Sequence, residues 1–144
     1  MELNIGKINQ KIAAIAKKHN LKFVVLFGSA ATRTTKDSSD IDVAVLRKDG
    51  ARLTYEPFLN ISNDLSDKMD AGLQRIDLVD LTKANILLRY EITRGGVLLY
   101  GDEETYEDYR LFAFKDYIDG RRLRELENLF IQKRQKFLAN KLNV

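Results

Sequence analysis

The spacing of apolar residues over the first fifty positions predicts one helix followed by two strands. Four isoleucines recur at intervals of three, four and three residues, the spacing of one helical face. They are Ile5, Ile8, Ile12 and Ile15. The apolar run Phe23–Phe27 is too short for a helix and predicts a strand that is buried on both faces. A second strand is predicted over 41–46, after a mostly polar segment.

The rest of the chain continues with helices and strands in mixed order. Apolar positions spaced by three, four and four residues predict a helix over about 55–70. A strand over 76–81 follows, then a helix that Thr82 could cap, a short strand over 97–100, and helical sequence from Glu103 onward. The order α-β-β-α-β-α-β-α predicts a mixed α/β fold rather than a strict βαβ wind.

Length and composition narrow the classes of protein that the chain can belong to. Its 144 residues suit a single domain over 1–144, with a core over about 1–101 and a helical region over about 102–144. The absence of cysteine excludes disulfides, thiolate zinc sites and a cysteine nucleophile, and the one histidine excludes a histidine metal cluster. The formal net charge of +3 is too small to indicate direct nucleic-acid binding. With no secretory signal or membrane-spanning run in the pattern, we expect a cytoplasmic protein without membrane contact.

Charge is divided unevenly within the helical region. Residues 102–119 hold seven acids against two bases, whereas residues 120–144 hold seven bases against two acids. The switch falls at Gly120, where a break in the helix is possible. Two interpretations stay open: a solvated helix whose charges match its dipole, or a basic surface for a partner or nucleic acid. The aromatic residues of this region are expected to pack the helix rather than to stack bases.

The candidate chemistry lies around the two predicted strands of the N-terminal half. Asp40 and Asp42 alternate with apolar residues, so their carboxylates face the same way, about 7 Å apart along the strand. Such a pair is unfavourable unless a cation lies between, and Mg²⁺ prefers oxygen ligands of this kind. Gly28 and Ser29, at the end of the preceding strand, offer backbone N–H groups and a hydroxyl to a phosphate.

A third acid would complete such a site. Asp77 interrupts the apolar strand over 76–81, where an unpaired charge is costly. Asp80 is the rival and lies on the opposite face of that strand by alternation. We favour Asp77, because Asp80 is next to the strand end, where it could be solvated or cap the following helix.

These residues resemble the signature of the minimal nucleotidyltransferases of the DNA polymerase β superfamily, G-S-x10-D-x-D. The segments over 75–81 and 87–100 also resemble those found late in nucleotidyltransferase antitoxins. The resemblance covers nearly the whole chain and implies a polymerase β-like core. One departure is that Thr32 and Arg33 stand where members of the family often have arginine and glycine.

The resemblance implies a function and a partner. It implies that Asp40 and Asp42 bind two Mg²⁺ ions, that Asp77 completes the metal site and helps to activate the attacking hydroxyl, and that ATP is the substrate. It further implies that the chain is the antitoxin that transfers AMP to a tyrosine of a HEPN-type toxin, in a hetero-oligomer of the type VII kind. Two alternatives stay open: a small-molecule, drug-modifying nucleotidyltransferase, and a non-catalytic antitoxin that acts by binding alone.

Overall fold

The computed structural model describes residues 5–28, 31, 40–69 and 75–142. They form a mixed α/β fold whose elements follow the predicted order. The helices are α1 (Ile5–Lys18), α2 (Tyr55–Lys68), α3 (Ile86–Gly95) and α4 (Glu103–Leu142). The strands are β1 (Leu21–Phe27), β2 (Ile41–Arg47), β3 (Ile76–Asp80) and β4 (Val97–Tyr100).

The four strands form one sheet in the order β3-β2-β1-β4. β1 is antiparallel to both β2 and β4, whereas β2 and β3 run parallel. The N-terminal ends of β2 and β3 therefore meet the C-terminal end of β1 at one edge of the sheet. This edge brings together segments that are far apart in the sequence.

Alternating side chains of the strands bury both faces of the sheet. Ile41, Val43 and Val45 belong to a core cluster that includes Ile12 of α1 and Ile61 of α2. The residues between them point the other way, and Ala44 belongs to a second cluster with residues of β1, α3 and α4: Phe23, Val25, Ile92 and Tyr106. Asp42 shares the parity of Ala44 and therefore lies on the α3 and α4 side.

His19, the one histidine of the sequence, links helix α1 to helix α2. His19 follows α1 directly, and its Nε2 lies 2.6 Å from Asp64 Oδ2 of α2. Lys18 Nζ donates to the same oxygen at 3.0 Å. His19 is thus a helix-end residue that also pairs α1 with α2.

Two expectations about helix ends are wrong. Thr82 does not cap α3; the cap is Asn85, whose Oδ1 accepts a hydrogen bond from Leu88 N at 2.8 Å. Helix α4 does not break at Gly120 but continues to Leu142. A glycine costs a helix only about 1 kcal/mol relative to alanine. Arg124 also spans the position, since its Nη2 donates to the carbonyl of Tyr117 at 2.8 Å.

Helix α4 is packed at its beginning and exposed toward its end. Tyr106 is buried against Phe23 at 5.4 Å between ring centroids, and Tyr117 stacks on Tyr90 of α3 at 4.2 Å. These contacts confirm the packing expected of the aromatics, except that Phe112 and Phe114 stay about half exposed. From residue 121 to 142, every residue except Arg124 is exposed. None of the described helices combines the length and apolar character needed to cross a bilayer.

Candidate functional site

Pairing of β2 with β3 places two carboxylates side by side. Asp42 and Asp77 are direct partners in the parallel register, and neighbouring strands lie about 4.8 Å apart. Both side chains therefore lie on the same face of the sheet, at the end where β2 and β3 begin. Asp42 is half-buried and Asp77 is exposed, so the pair opens to solvent on one side.

The end of β1 closes the other side of Asp42. Phe27 is the antiparallel partner of Asp42, and Gly28 follows with a φ of 70°, in the left-handed region that favours glycine. A Cβ built on Gly28 would overlap Asp42 Oδ2. A side chain at this position is therefore excluded both by the backbone conformation and by the carboxylate.

The electrostatics of Asp42 reflect this crowding. Burial raises the pKa of the Asp42 carboxyl above its usual value, and the charges of Asp77 and Asp40 raise it further. The sequence led us to expect repulsion between Asp40 and Asp42, but Asp77 is the stronger neighbour. The folded chain thus holds two carboxylates, those of Asp77 and Asp40, close enough to oppose the ionisation of Asp42.

A backbone hydrogen bond next to Asp40 holds it at this edge of the sheet. It is the exposed residue immediately before β2, and the next amide, Ile41 N, donates to the carbonyl of Arg75 at 2.8 Å. That bond ties the entrance of β2 to the entrance of β3 and helps to set the register that opposes Asp42 to Asp77. Because the acceptor is a main-chain atom, the residue types gave no signal of this role for Arg75. Ser29, Thr32 and Arg33 lie outside the described residues.

The carboxylates of Asp40, Asp42 and Asp77 are ligands of the chemical type that binds a hard divalent cation. Three carboxylates around a half-buried position supply the oxygen ligands that Mg²⁺ prefers, and a cation would relieve their mutual repulsion. Within the described ranges, no three acidic or histidine side chains close into a ready-made metal cage. The side chains of Asp40, Asp42 and Asp77 would therefore have to draw together around an ion.

Asp80 is buried rather than solvated, and it belongs to neither the carboxylate group nor a helix cap. Its side chain is 5% exposed, its Oδ2 accepts from Leu53 N at 2.8 Å and its Oδ1 accepts from Thr82 N at 3.0 Å. It lies on the opposite face of β3 from Asp77, as the alternation predicts. The loop after β2 packs over the end of β3, and this contact makes Asp80 a structural anchor.

Comparisons with known proteins agree with the fold. Residues 10–105 match the family described as polymerase beta, nucleotidyltransferase. The chain belongs to this nucleotidyltransferase family. Within it, the chain is 37% identical over 116 residues to the protein adenylyltransferase MntA of Shewanella oneidensis, an alignment that covers 79% of this chain and 75% of the relative.

Two solved structures share the fold. One is a crystal structure of a toxin–antitoxin with AMP-PNP, with a TM-score of 0.66 and 24% identity over 85% of this chain and 98% of that chain. The other is a tri-AMPylated Shewanella oneidensis HEPN toxin in complex with its MNT antitoxin, with a TM-score of 0.63 and 22% identity over 88% and 98% of the two chains. At these identities, the likeness is one of fold.

Proposed function

We propose that this chain transfers AMP from ATP to a hydroxyl of a partner protein, in the manner of the adenylyltransferase to which it is similar. The observation that carries the proposal is the opposition of Asp42 and Asp77 beside Gly28, within a nucleotidyltransferase fold. The named activity of the Shewanella oneidensis relative, which is 37% identical, supports adenylyl transfer in particular. We assign the activity to one domain over 1–144, in which the part up to about 101 carries the site.

Each site residue has a distinct task in this proposal. Asp40 and Asp42 hold Mg²⁺ ions, and Asp77 holds one of them and orients the attacking hydroxyl. Mg²⁺, when bound, supplies charge neutralisation at the phosphates. Gly28, which has no Cβ, lets the chain lie close against the Asp42 carboxylate, and the backbone amides there together with Ser29 contact the outer phosphates. The hydroxyl passes its proton to the Asp77 carboxylate as its oxygen forms a bond to the α-phosphorus, the bond from that phosphorus to the bridging oxygen breaks, and pyrophosphate leaves with its electron pair.

We propose a HEPN-type toxin as the acceptor and the antitoxin role for this chain. Support comes from the complex of a HEPN toxin with an MNT antitoxin, which shares this fold and contains the tri-AMPylated toxin. The transfer would add a bulky anion to a toxin hydroxyl, and the two proteins would form a hetero-oligomer.

Labelled ATP tests the proposal. The chain, Mg²⁺ and a HEPN-type protein encoded beside it are incubated with ATP labelled at either the α- or the γ-phosphorus. Adenylyl transfer places the α label, and not the γ label, on the partner. Transfer of the γ label, or label on neither protein while the two bind each other, would contradict the proposed activity.

A further inference from the structure

The distal half of α4, residues 121–142, leaves an unusual amount of apolar surface uncovered. Eight large apolar side chains in it are 48–85% exposed. They are Leu123, Leu126, Leu129, Phe130, Ile131, Phe137, Leu138 and Leu142. A single surface helix normally gains its stability from packing one face against a neighbour, and large exposed apolar patches on a protein often mark interaction sites.

Part of this surface follows a heptad pattern. Starting at Phe112, positions spaced strictly by four and three residues run to Phe137 and form the stripe that we name the α4 seam. Its members are Phe112, Asp116, Asp119, Leu123, Leu126, Phe130, Lys133 and Phe137. Five of these eight positions are apolar, and all five side chains are 48–68% exposed. Alternate spacings of three and four are typical of helices that pair in a coiled coil.

The charges of α4 determine which way a second helix can lie along the seam. Residues 103–119 carry six acids against two bases, whereas residues 121–142 carry seven bases against two acids. A parallel pair of two α4 helices would place acid on acid and base on base. An antiparallel pair would place the basic half of one helix along the acidic half of the other, which is favourable at both ends.

One antiparallel register pairs apolar with apolar and opposite with opposite charge in three of the four distinct layers of the seam. It pairs Leu123 with Leu126 of a second copy at the centre, and Phe112 with Phe137 at the ends. In the same register Asp116 meets Lys133. The remaining layer places Asp119 against Phe130, and such a polar residue in a seam lowers stability while it fixes the register. Asp116 would exchange its present ion pair with Arg89, which is long at 3.7 Å, for this contact, and its side chain is 38% exposed.

We propose that α4 is the dimerisation element of this protein and that two copies pair through antiparallel α4 seams. The seam spans about 38 Å at 1.5 Å per residue, long enough for four pairs of layers related by a twofold axis near residues 124 and 125. The proposal stands on the sequence and exposure of α4 alone and does not rest on the proposed function.

The first test compares two lysine substitutions at similarly exposed apolar positions. Leu126 lies in the central layer of the seam and Ile131 lies off it, and the two side chains are 48% and 53% exposed. Light scattering on the purified full chain should give about twice the 16.6 kDa chain mass. Leu126→Lys removes two apolar contacts per dimer, so the dissociation constant should rise roughly a hundredfold, whereas Ile131→Lys should stay dimeric. A monomeric parent chain, or equal effects of the two substitutions, would overturn the proposal.

The second test distinguishes antiparallel from parallel pairing by exchanging charges. Lys133→Asp alone places carboxylates opposite Asp116, and Asp116→Lys alone places ammonium groups opposite Lys133, so each variant should dissociate at concentrations where the parent chain is dimeric. An equimolar mixture of the two should form a heterodimer, because each layer then pairs a carboxylate with an ammonium. Circular dichroism of each variant checks that the fold is retained. Folded variants that fail to associate on mixing, or single variants that remain dimeric, would refute the antiparallel register.

Discussion

Asp42 and Asp77 lie directly opposite each other on the parallel strands β2 and β3, and Gly28, which follows β1, lies against the Asp42 carboxylate. The fold thus gathers negative charge at one edge of the sheet, where it raises the pKa of Asp42. Proteins seldom place like charges in this way without a functional reason, because the arrangement costs stability. The proposed site uses that stored repulsion to favour a cation.

Removing the negative charge of Asp42 should stabilise the protein when no metal is present. Since the folded pKa of Asp42 lies above its unfolded value of 3.8, the folded state holds the proton more tightly, and ionisation of Asp42 costs stability as the pH rises through this window. Asp42→Asn should therefore raise the Tm at pH 7 in the presence of a chelator. It should also abolish the increase in Tm that Mg²⁺ gives the parent chain. The exposed Asp67→Asn is the matched control and should leave both quantities unchanged.

Alanine should be tolerated less well at position 28 than at position 50, where Gly50 has the same backbone conformation. Gly28 and Gly50 have φ values of 70° and 69°, but only at Gly28 would a Cβ overlap a neighbour, the Asp42 carboxylate. Both Gly→Ala variants should lose about 1 kcal/mol of stability from backbone strain. Only Gly28→Ala should also weaken Mg²⁺-ATP binding, measured by titration calorimetry. Equal binding by the two variants would remove Gly28 from the site.

Asp80→Asn should destabilise the fold rather than behave as a surface change. Both oxygens of Asp80 accept backbone N–H groups, and an asparagine would turn a donor toward one of them. A lost buried bond of this kind costs about 1–3 kcal/mol, which urea unfolding can measure. Transfer activity of the folded variant should remain. A stability equal to that of the parent chain would mean that this anchor is not needed.

The pairing of α1 with α2 should weaken in acid. Hydrogen bonds from His19 and then Lys18 lower the pKa of Asp64 below 3.8, so the stabilisation is complete above that value and is lost as the pH falls through the folded pKa. Because Lys18 is exposed and Asp64 is partly so, we expect Asp64→Asn to cost less than about 1 kcal/mol at pH 6. The difference in unfolding free energy between variant and parent should vanish near pH 2. A difference that persists there would indicate a role for Asp64 other than charge pairing.

The sequence predicted the order of elements and the opposite faces of Asp77 and Asp80, because hydrophobic periodicity reports local structure directly. It did not reveal the burial of Asp80, which depends on a backbone amide of Leu53, 27 residues away. For the same reason the start of α3 was misplaced, since residues 81–83 form a turn that Asp80 holds.

The candidate acids were chosen because Asp40 and Asp42 alternate with apolar residues and Asp77 interrupts an apolar strand, but these patterns did not predict their arrangement. The opposition of Asp42 and Asp77 depends on β2 and β3 being parallel neighbours in one register. That pairing arises from long-range packing and from the bond between Ile41 and Arg75. A single sequence contains no local pattern that specifies it.

The central claim is that Asp42 and Asp77 together carry nucleotidyl transfer. The most direct measurement is the single-turnover rate at which the α label of ATP reaches the partner protein, compared among the parent chain, Asp77→Asn and the exposed control Asp67→Asn. Asp77→Asn should lower the rate by at least about a hundredfold, the usual cost of removing a charge-stabilising group from an active site. The control should retain the parent rate. Parent-like transfer by the folded Asp77→Asn variant would contradict the account.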